Sequence, residues 1–224
     1  MDVRSLAYVV IESTEPQQWL DYGCNILGLM VAPTMPDDGN VYLKIDTRPY
    51  RFAIIKSEHN RLAFCGWELA DEAGFSAAKA ELQAAGVAFE EVSAAEAAAR
   101  RVRGLIRLQD PSGNGLELFW GGELDYAKFI SPKGISGFET GVNGDMGLGH
   151  AVLPAAKLSV THDFYKDLLG FGDSDYMHFK FSPDPDDPGQ GLHFMHVNNP
   201  RHHSLALYED PANPVGCVHL MLEV

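Results

Sequence analysis

The sequence is poor in cysteine and in basic charge, and it has no long apolar run. Only three cysteines occur, Cys24, Cys65 and Cys217, far apart and without a CxxC pair, which argues against a disulfide framework or a thiolate zinc site. Lysine and arginine total 17 against 31 acidic residues, for a net charge of −14. The basic residues are scattered, so nucleic acid is not the expected partner. The negative balance favours solubility and says little about a substrate. No stretch reaches the roughly 20 apolar residues that a membrane span needs. The opening run MDVRSLAYVVIEST is too short and too soon acidic for a signal peptide. The expected setting is cytoplasmic and reducing, away from membranes. What is present, 46% hydrophobic and 21% charged residues in a chain of 224, suffices for one large domain or two small ones.

The most informative feature is an internal repeat. Ser5-Leu6-Ala7-Tyr8-Val9-Val10 lies over Gly147-Leu148-Gly149-His150-Ala151-Val152, and both runs alternate as strands do. The shift of 150 − 8 = 142 also carries Gly28 onto Gly170 without a gap, since 170 − 28 = 142. Between these points Trp19, Leu20, Tyr22 and Ile26 in one copy, and Phe164, Tyr165, Leu168 and Leu169 in the other, form a helical apolar stripe. Each helix then stops at a glycine. Short strands are expected afterwards, near residues 41–45 and 50–55 in the first copy and near 178–181, 191–197 and 204–208 in the later one. The insertion SPDPDDPGQG reads as a hairpin loop, and its spacing does not fit a calcium loop.

Another unit lies between the copies. Residues 62–69 read as a strand, 70–85 as a helix ending at Gly86, and 105–108 and 115–120 as strands joined by Asp110-Pro111-Ser112-Gly113. The expected fold is α+β, built of repeated βαβββ modules: two in the N-terminal half, a third after about residue 146, and the first strand of a fourth. Residues 122–145 are polar and glycine-rich and read as a connection. The expected division is an N-terminal domain at 1–130, a linker at 131–145 and a partial C-terminal domain at 146–224.

All but one of the nine histidines lie from His150 onward. His150 falls in the first strand of the third module and His219 in the first strand of the fourth. Equivalent strands that each present one imidazole can converge two ligands on one metal. A lone strand histidine is more often structural, but the repeat weakens that reading. The N-terminal half has Tyr8 at the position of His150 and, with Glu68-Leu69 aligned on Glu223-Val224, Phe64 at that of His219. One half therefore carries candidate ligands where the other carries packing aromatics. His202 and His203 precede a strand, where neighbouring residues face opposite ways. They read either as a polar strand entry or, beside a metal, as a general acid or base. His59, His162, His178, His193 and His196 read as structural or surface residues.

Taken together, GDMGLGHAVL (144–153), FYKDLLGF (164–171), FMHVNNPRHHSLAL (194–207) and HLMLEV (219–224) resemble type I extradiol dioxygenases of the vicinal oxygen chelate superfamily. RSLAYVVI, ILGLMV, LAFCGWELAD and DPSGNGLELFWG resemble that family's non-catalytic domain, so the similarity spans essentially the whole chain. The resemblance implies His150 and His219 as two ligands to iron(II), with manganese(II) as an alternative. It implies His203 as the acid–base histidine, His202 as its neighbour lining the site, and Val152 and Phe194 as walls of the substrate pocket. No organic cofactor is implied. The expected partners are dioxygen and a 3-substituted or bicyclic aromatic diol such as dihydroxybiphenyl, in a homo-oligomeric enzyme.

The family's third ligand is a glutamate on a late strand of the fourth module. Glu117 occupies the matching place in the second module. With the later shift of 223 − 68 = 155, that ligand is expected at roughly 272, beyond Val224. Two histidines without the anionic ligand are expected to bind iron weakly, and the final strand to lie at an exposed edge. Glu117 itself reads as structural, and Glu223 alternates with His219 without standing at the ligand position. Cys217 reads as a small buried residue. The competing readings are a metal-free small-molecule binding module of the same fold and an inactive fragment of the dioxygenase. A glyoxalase-like isomerase fits less well, because that group lacks the long two-domain match.

Overall fold

The run VRSLAYVVIES buries nearly every side chain, because the strand it forms is central to its sheet and covered on both faces. That strand, β1 (Val3–Ser13), opens a computed structural model that describes residues 1–212 and 216–224. The first module continues with a helical turn α1 (Gln18–Leu20), prolonged as a π-type helix over Asp21–Ile26, then β2 (Met30–Val31), β3 (Val41–Lys44) and β4 (Phe52–Lys56). The second comprises β5 (Arg61–Leu69), α2 (Glu72–Ala84), β6 (Glu90–Glu91), α3 (Ala94–Ala99), β7 (Gly104–Gln109) and β8 (Gly115–Trp120). The third comprises β9 (His150–Ala155), α4 (Leu158–Asp163) prolonged by a π-type helix over Phe164–Leu168, β10 (Gly172–Phe179), β11 (Gln190–His196) and β12 (Leu205–Glu209). A last strand, β13 (His219–Met221), follows.

The modules share one wiring. Strand order is β2-β3-β4-β1-β5-β8-β7-β6 in the first sheet and β10-β11-β12-β9-β13 in the second. In each module the last strand runs parallel to the first: β4 with β1, β8 with β5 and β12 with β9. Successive modules meet through their first strands, antiparallel, as β1–β5 and as β9–β13. Both π-type helices stop where the repeat predicts, at Gly28 (φ +73°) and Gly170 (φ +78°), a left-handed conformation that costs glycine little.

The expected strands form with shifted limits. The first strand after the helix of the third module starts at Gly172 rather than near 178, and β12 starts at Leu205. Three short elements were not expected. The strands β2 and β6 have two residues each, too few to show a period. Helix α3 is held by a capping box, in which Ser93 accepts from the Glu96 N–H and Glu96 from the Ser93 N–H.

The two sheets share a core. Trp67 meets Phe171 edge-on with ring centroids 5.0 Å apart, and Asn114 donates to the Pro154 carbonyl at 2.9 Å. The segment 131–145 is anchored rather than free: Ser131 donates to the Gly28 carbonyl at 2.7 Å and Glu139 to the Glu223 carbonyl at 2.8 Å. A buried guanidinium makes a further tie. Arg51, with a fully buried side chain, pairs with Asp46 at 2.5 Å and donates to the carbonyls of Ala7 at 2.6 Å and Gly144 at 2.9 Å. Burial alone would raise the Asp46 carboxyl, but the charge and hydrogen bonds of Arg51 outweigh it and hold the group below its usual range.

Replacing Arg51 by Met leaves Asp46 buried without its cation, at a cost of about 3–5 kcal/mol, measurable by urea denaturation. Because the Asp46 carboxyl is depressed in the folded chain, the pair's contribution is present at neutral pH. It is lost as the pH falls below about 4, so the gap between the wild type and Arg51→Met should narrow in acid.

Candidate functional site

The antiparallel pairing of β9 with β13 places two imidazoles side by side. His219 lies opposite Val152 and Met221 opposite His150, so the two histidines are diagonal neighbours across the ladder. His150 Nε2 and His219 Nε2 stand 3.0 Å apart. Either one nitrogen carries a proton and donates it to the other, or both lone pairs address a shared cation.

Glycines permit this approach. Gly149 has φ +145°, and a Cβ there would lie 1.8 Å from the Met221 carbonyl oxygen. Gly147, at φ +76°, passes so close to Leu6 that a Cβ would lie 2.4 Å from its carbonyl oxygen. The GLGH run is thus the place where β9 threads between the backbones of β13 and β1.

His203 completes the cluster. Its ring lies 4.2 Å from that of His150, centroid to centroid, and 4.9 Å from Phe194, which meets it edge-on. His203 Nε2 is buried with no hydrogen-bond partner among the described residues, as is His150 Nδ1. The other His203 nitrogen, Nδ1, is 3.0 Å from His202 Nδ1. The sequence placed this pair at a strand entry with opposed faces. In the structure β12 begins at Leu205, and the two rings touch in the bend before it. Val152, two positions along β9 from His150 and so on the same face, is buried.

Burial, then the neighbouring His203, His219 and Arg201, hold His150 down to about 3. Burial, then His202, Arg201 and His219, also lower His203. At neutral pH both imidazoles keep a free lone pair, the form that binds metal.

One expectation changes. Cys217 is exposed rather than buried; the buried thiol is Cys65. Glu223 is engaged by Arg201 at 2.6 Å, so its carboxylate is committed. Among the described residues no group of three or more His, Cys, Asp or Glu side chains is arranged to hold a metal. His162, read as structural, is held by Asp173 at 2.6 Å. His219 also lines a cleft of about 800 Å³ whose other walls include Trp19, Tyr22, Leu27 and Leu222.

Arg201 is the residue that sequence reasoning missed. It lies within the segment FMHVNNPRHHSLAL, next to the expected histidine pair, but carried no periodic signal of its own, and its role is visible only through three backbone and side-chain partners distant in sequence.

The corresponding place in the first half is filled differently. Tyr8 donates to Glu117 at 2.7 Å, and Arg100 and Arg107 donate to the same carboxylate at 3.1 and 2.9 Å. Glu117 is fully buried, in keeping with the structural role expected of it.

A family profile described as "Dihydroxybiphenyl dioxygenase BphC D1" matches residues 6–56. The chain is 42% identical to an iron-dependent extradiol dioxygenase of Rhodococcus jostii strain RHA1, over 100% of its own length and 73% of the relative's. It is 38% identical to a biphenyl-2,3-diol 1,2-dioxygenase of Metapseudomonas furukawaii, covering 71% of that protein. Among solved structures it matches a catechol 2,3-dioxygenase at 32% identity and TM-score 0.87, covering 99% of this chain and 71% of the other. No helix among the described residues is long and apolar enough to cross a membrane.

Gly149→Ala should push β13 away from β9. Overpacking of this kind costs about 1–3 kcal/mol, with φ strain added, so the variant should melt earlier. The His150–His219 contact should be lost, which a crystal structure or histidine ring NMR would record.

Proposed function

Because the chain belongs to the extradiol dioxygenase family, being 42% identical over its full length to one member, we propose that it opens the ring of a substituted catechol with dioxygen, beside the diol, at a centre built on His150 and His219. The 3.0 Å approach of the two Nε2 atoms carries this reading. An imidazole binds a first-row divalent ion at about 2.1 Å. His150 and His219 would be the residues that hold such an ion, each through its Nε2 lone pair. The proposed ion is iron(II), with manganese(II) as the alternative; when bound it supplies the Lewis-acidic, redox-active centre on which diol and dioxygen meet.

The chain's own residues do the rest. His150, kept neutral by burial, presents a lone pair without first losing a proton. His203, whose ring lies 4.2 Å from that of His150, has a ring nitrogen without a hydrogen-bond partner among the described residues, which suits it to take a proton from a diol hydroxyl and return it later. His202, through the contact between Nδ1 atoms, selects which His203 nitrogen is bare. Phe194 and Val152 wall the site with apolar surface, favouring an aromatic ring and excluding water. Relatives are named for biphenyl-2,3-diol, 3-methylcatechol and 1,2-dihydroxynaphthalene, which supports a 3-substituted or bicyclic diol as substrate. In this reading the β1–β8 sheet supports the site without taking part in chemistry. The protein is expected to work as a homo-oligomer.

Oxygen uptake with 2,3-dihydroxybiphenyl, after anaerobic loading with iron(II), tests the proposal. We expect uptake with a coloured ring-opened product, falling at least about 100-fold in His150→Ala, since even supporting residues of metal sites cost 10–100-fold. The lack, among the described residues, of a third metal-binding side chain beside the two imidazoles favours one alternative, a metal-free module that binds the diol. Calorimetric binding of 2,3-dihydroxybiphenyl to the metal-free chain, with no uptake after loading, would select it.

A further inference from the structure

We propose that Arg201 is the positioning residue of the histidine cluster, a single guanidinium that fixes the three chain segments carrying His150, His203 and His219. Its side chain is 5% exposed, and each face of its planar fork is used. Nε donates to the Met146 carbonyl at 3.3 Å, Nη1 to Glu223 Oε2 at 2.6 Å and Nη2 to the Glu139 carbonyl at 2.7 Å.

Each partner lies a short, constrained step from one histidine. Met146 precedes His150 by four residues, across Gly147 and Gly149, whose backbones are pressed against Leu6 and Met221. Glu223 follows His219 by four residues, and Met221 between them lies opposite His150 on β9. Arg201 itself is two residues before His203. Its own loop is not free to drift: Asn198 N donates to the Val3 carbonyl at 2.9 Å, Asn199 Nδ2 to the Arg4 carbonyl at 2.7 Å, and Ser204 N to the Met195 carbonyl at 3.0 Å. The Glu139 N–H closes the circuit on the Glu223 carbonyl at 2.8 Å.

The chemistry requires arginine. Three acceptors arrayed around one plane match a guanidinium fork, whereas an ammonium offers one point charge and cannot span them. Without the fork, β13 would keep its three-residue ladder to β9, the Val218 N–H bond to the Val152 carbonyl at 2.8 Å and the Glu139–Glu223 backbone bond, but would lose its tie to the loop that carries His203. The 3.0 Å contact between His150 and His219 would then relax.

The inference rests on the metal reading of the cluster only in one arm of its test. The first arm uses metal-free protein and nitrogen–proton correlation spectra of the histidine side chains. In the wild type, His150, His203 and His219 should each show a single locked tautomer. In Arg201→Met, and also in Arg201→Lys, those three should move toward averaged tautomers, while His162, held by Asp173, stays unchanged. The second arm measures equilibrium binding of cobalt(II), which should weaken about tenfold or more in either variant.

A lower melting temperature with the three ring signatures intact would overturn the proposal and leave Arg201 a structural clamp. If Arg201→Met does not fold, Glu223→Gln alters a half-exposed partner and is read by the same ring signatures. Failure of the wild type to bind cobalt(II) would remove the metal reading, and the ring spectra would still decide the role of Arg201.

Discussion

The antiparallel pairing between the first strands of successive modules is the constraint on which the rest of the structure depends. It occurs twice with one register. Val10 faces Phe64 and Tyr8 faces Gly66 across β1 and β5, just as Val152 faces His219 and His150 faces Met221 across β9 and β13. A shift of one residue in either pairing would turn every side chain to the opposite face. Convergence of His150 with His219 is therefore a property of the ladder, and the same ladder brings Tyr8 beside Phe64 in the other half.

What differs is how each half satisfies the place so created. In the first half, Gly66 leaves room for the Tyr8 ring, since a Cβ there would lie 2.4 Å from it. Glu117 arrives from β8, opposite Gly66, and its buried negative charge is met by Arg100 and Arg107. With Glu96, which meets Arg107 at 3.0 Å, the set is a hydroxyl, two carboxylates and two guanidinium groups, with the charges paired. In the second half the equivalent strands bring imidazoles, and a ring nitrogen of His203 remains without a partner among the described residues. One copy is chemically complete, whereas the other presents lone pairs, the donors a divalent cation needs.

The wiring was legible from sequence because it is repeated. The shift of 142 residues located β1 and β9, and the shift of 155 paired Phe64 with His219; the observed registers agree with both. The glycines of GLGH were visible as a motif, but their reason was not, because contact with Met221 and Leu6 brings together residues remote in sequence. Helix α3 could have been found from Ser93 and Glu96, whose spacing is that of a capping box. Strands β2 and β6 could not, since two residues have no period. The placement of His202 and His203 just before a strand agrees with the structure, where β12 starts at Leu205 and it is His203 that packs against His150. Arg201 was passed over because a buried arginine looks in sequence like any surface arginine, and its value comes from partners at positions 139, 146 and 223.

Electrostatics gives the last step. Burial, then the neighbouring His203 and His219 and last the Arg201 guanidinium, keep His150 neutral well below the usual imidazole range. A histidine pair in such a setting cannot relieve its close contact by taking up a proton and finding a carboxylate, because the nearby carboxylate, Glu223, is already paired with Arg201. The remaining ways to satisfy both Nε2 atoms are a shared proton and a shared metal ion. Arg201 thus acts through its hydrogen bonds, which hold the segments that carry the histidines.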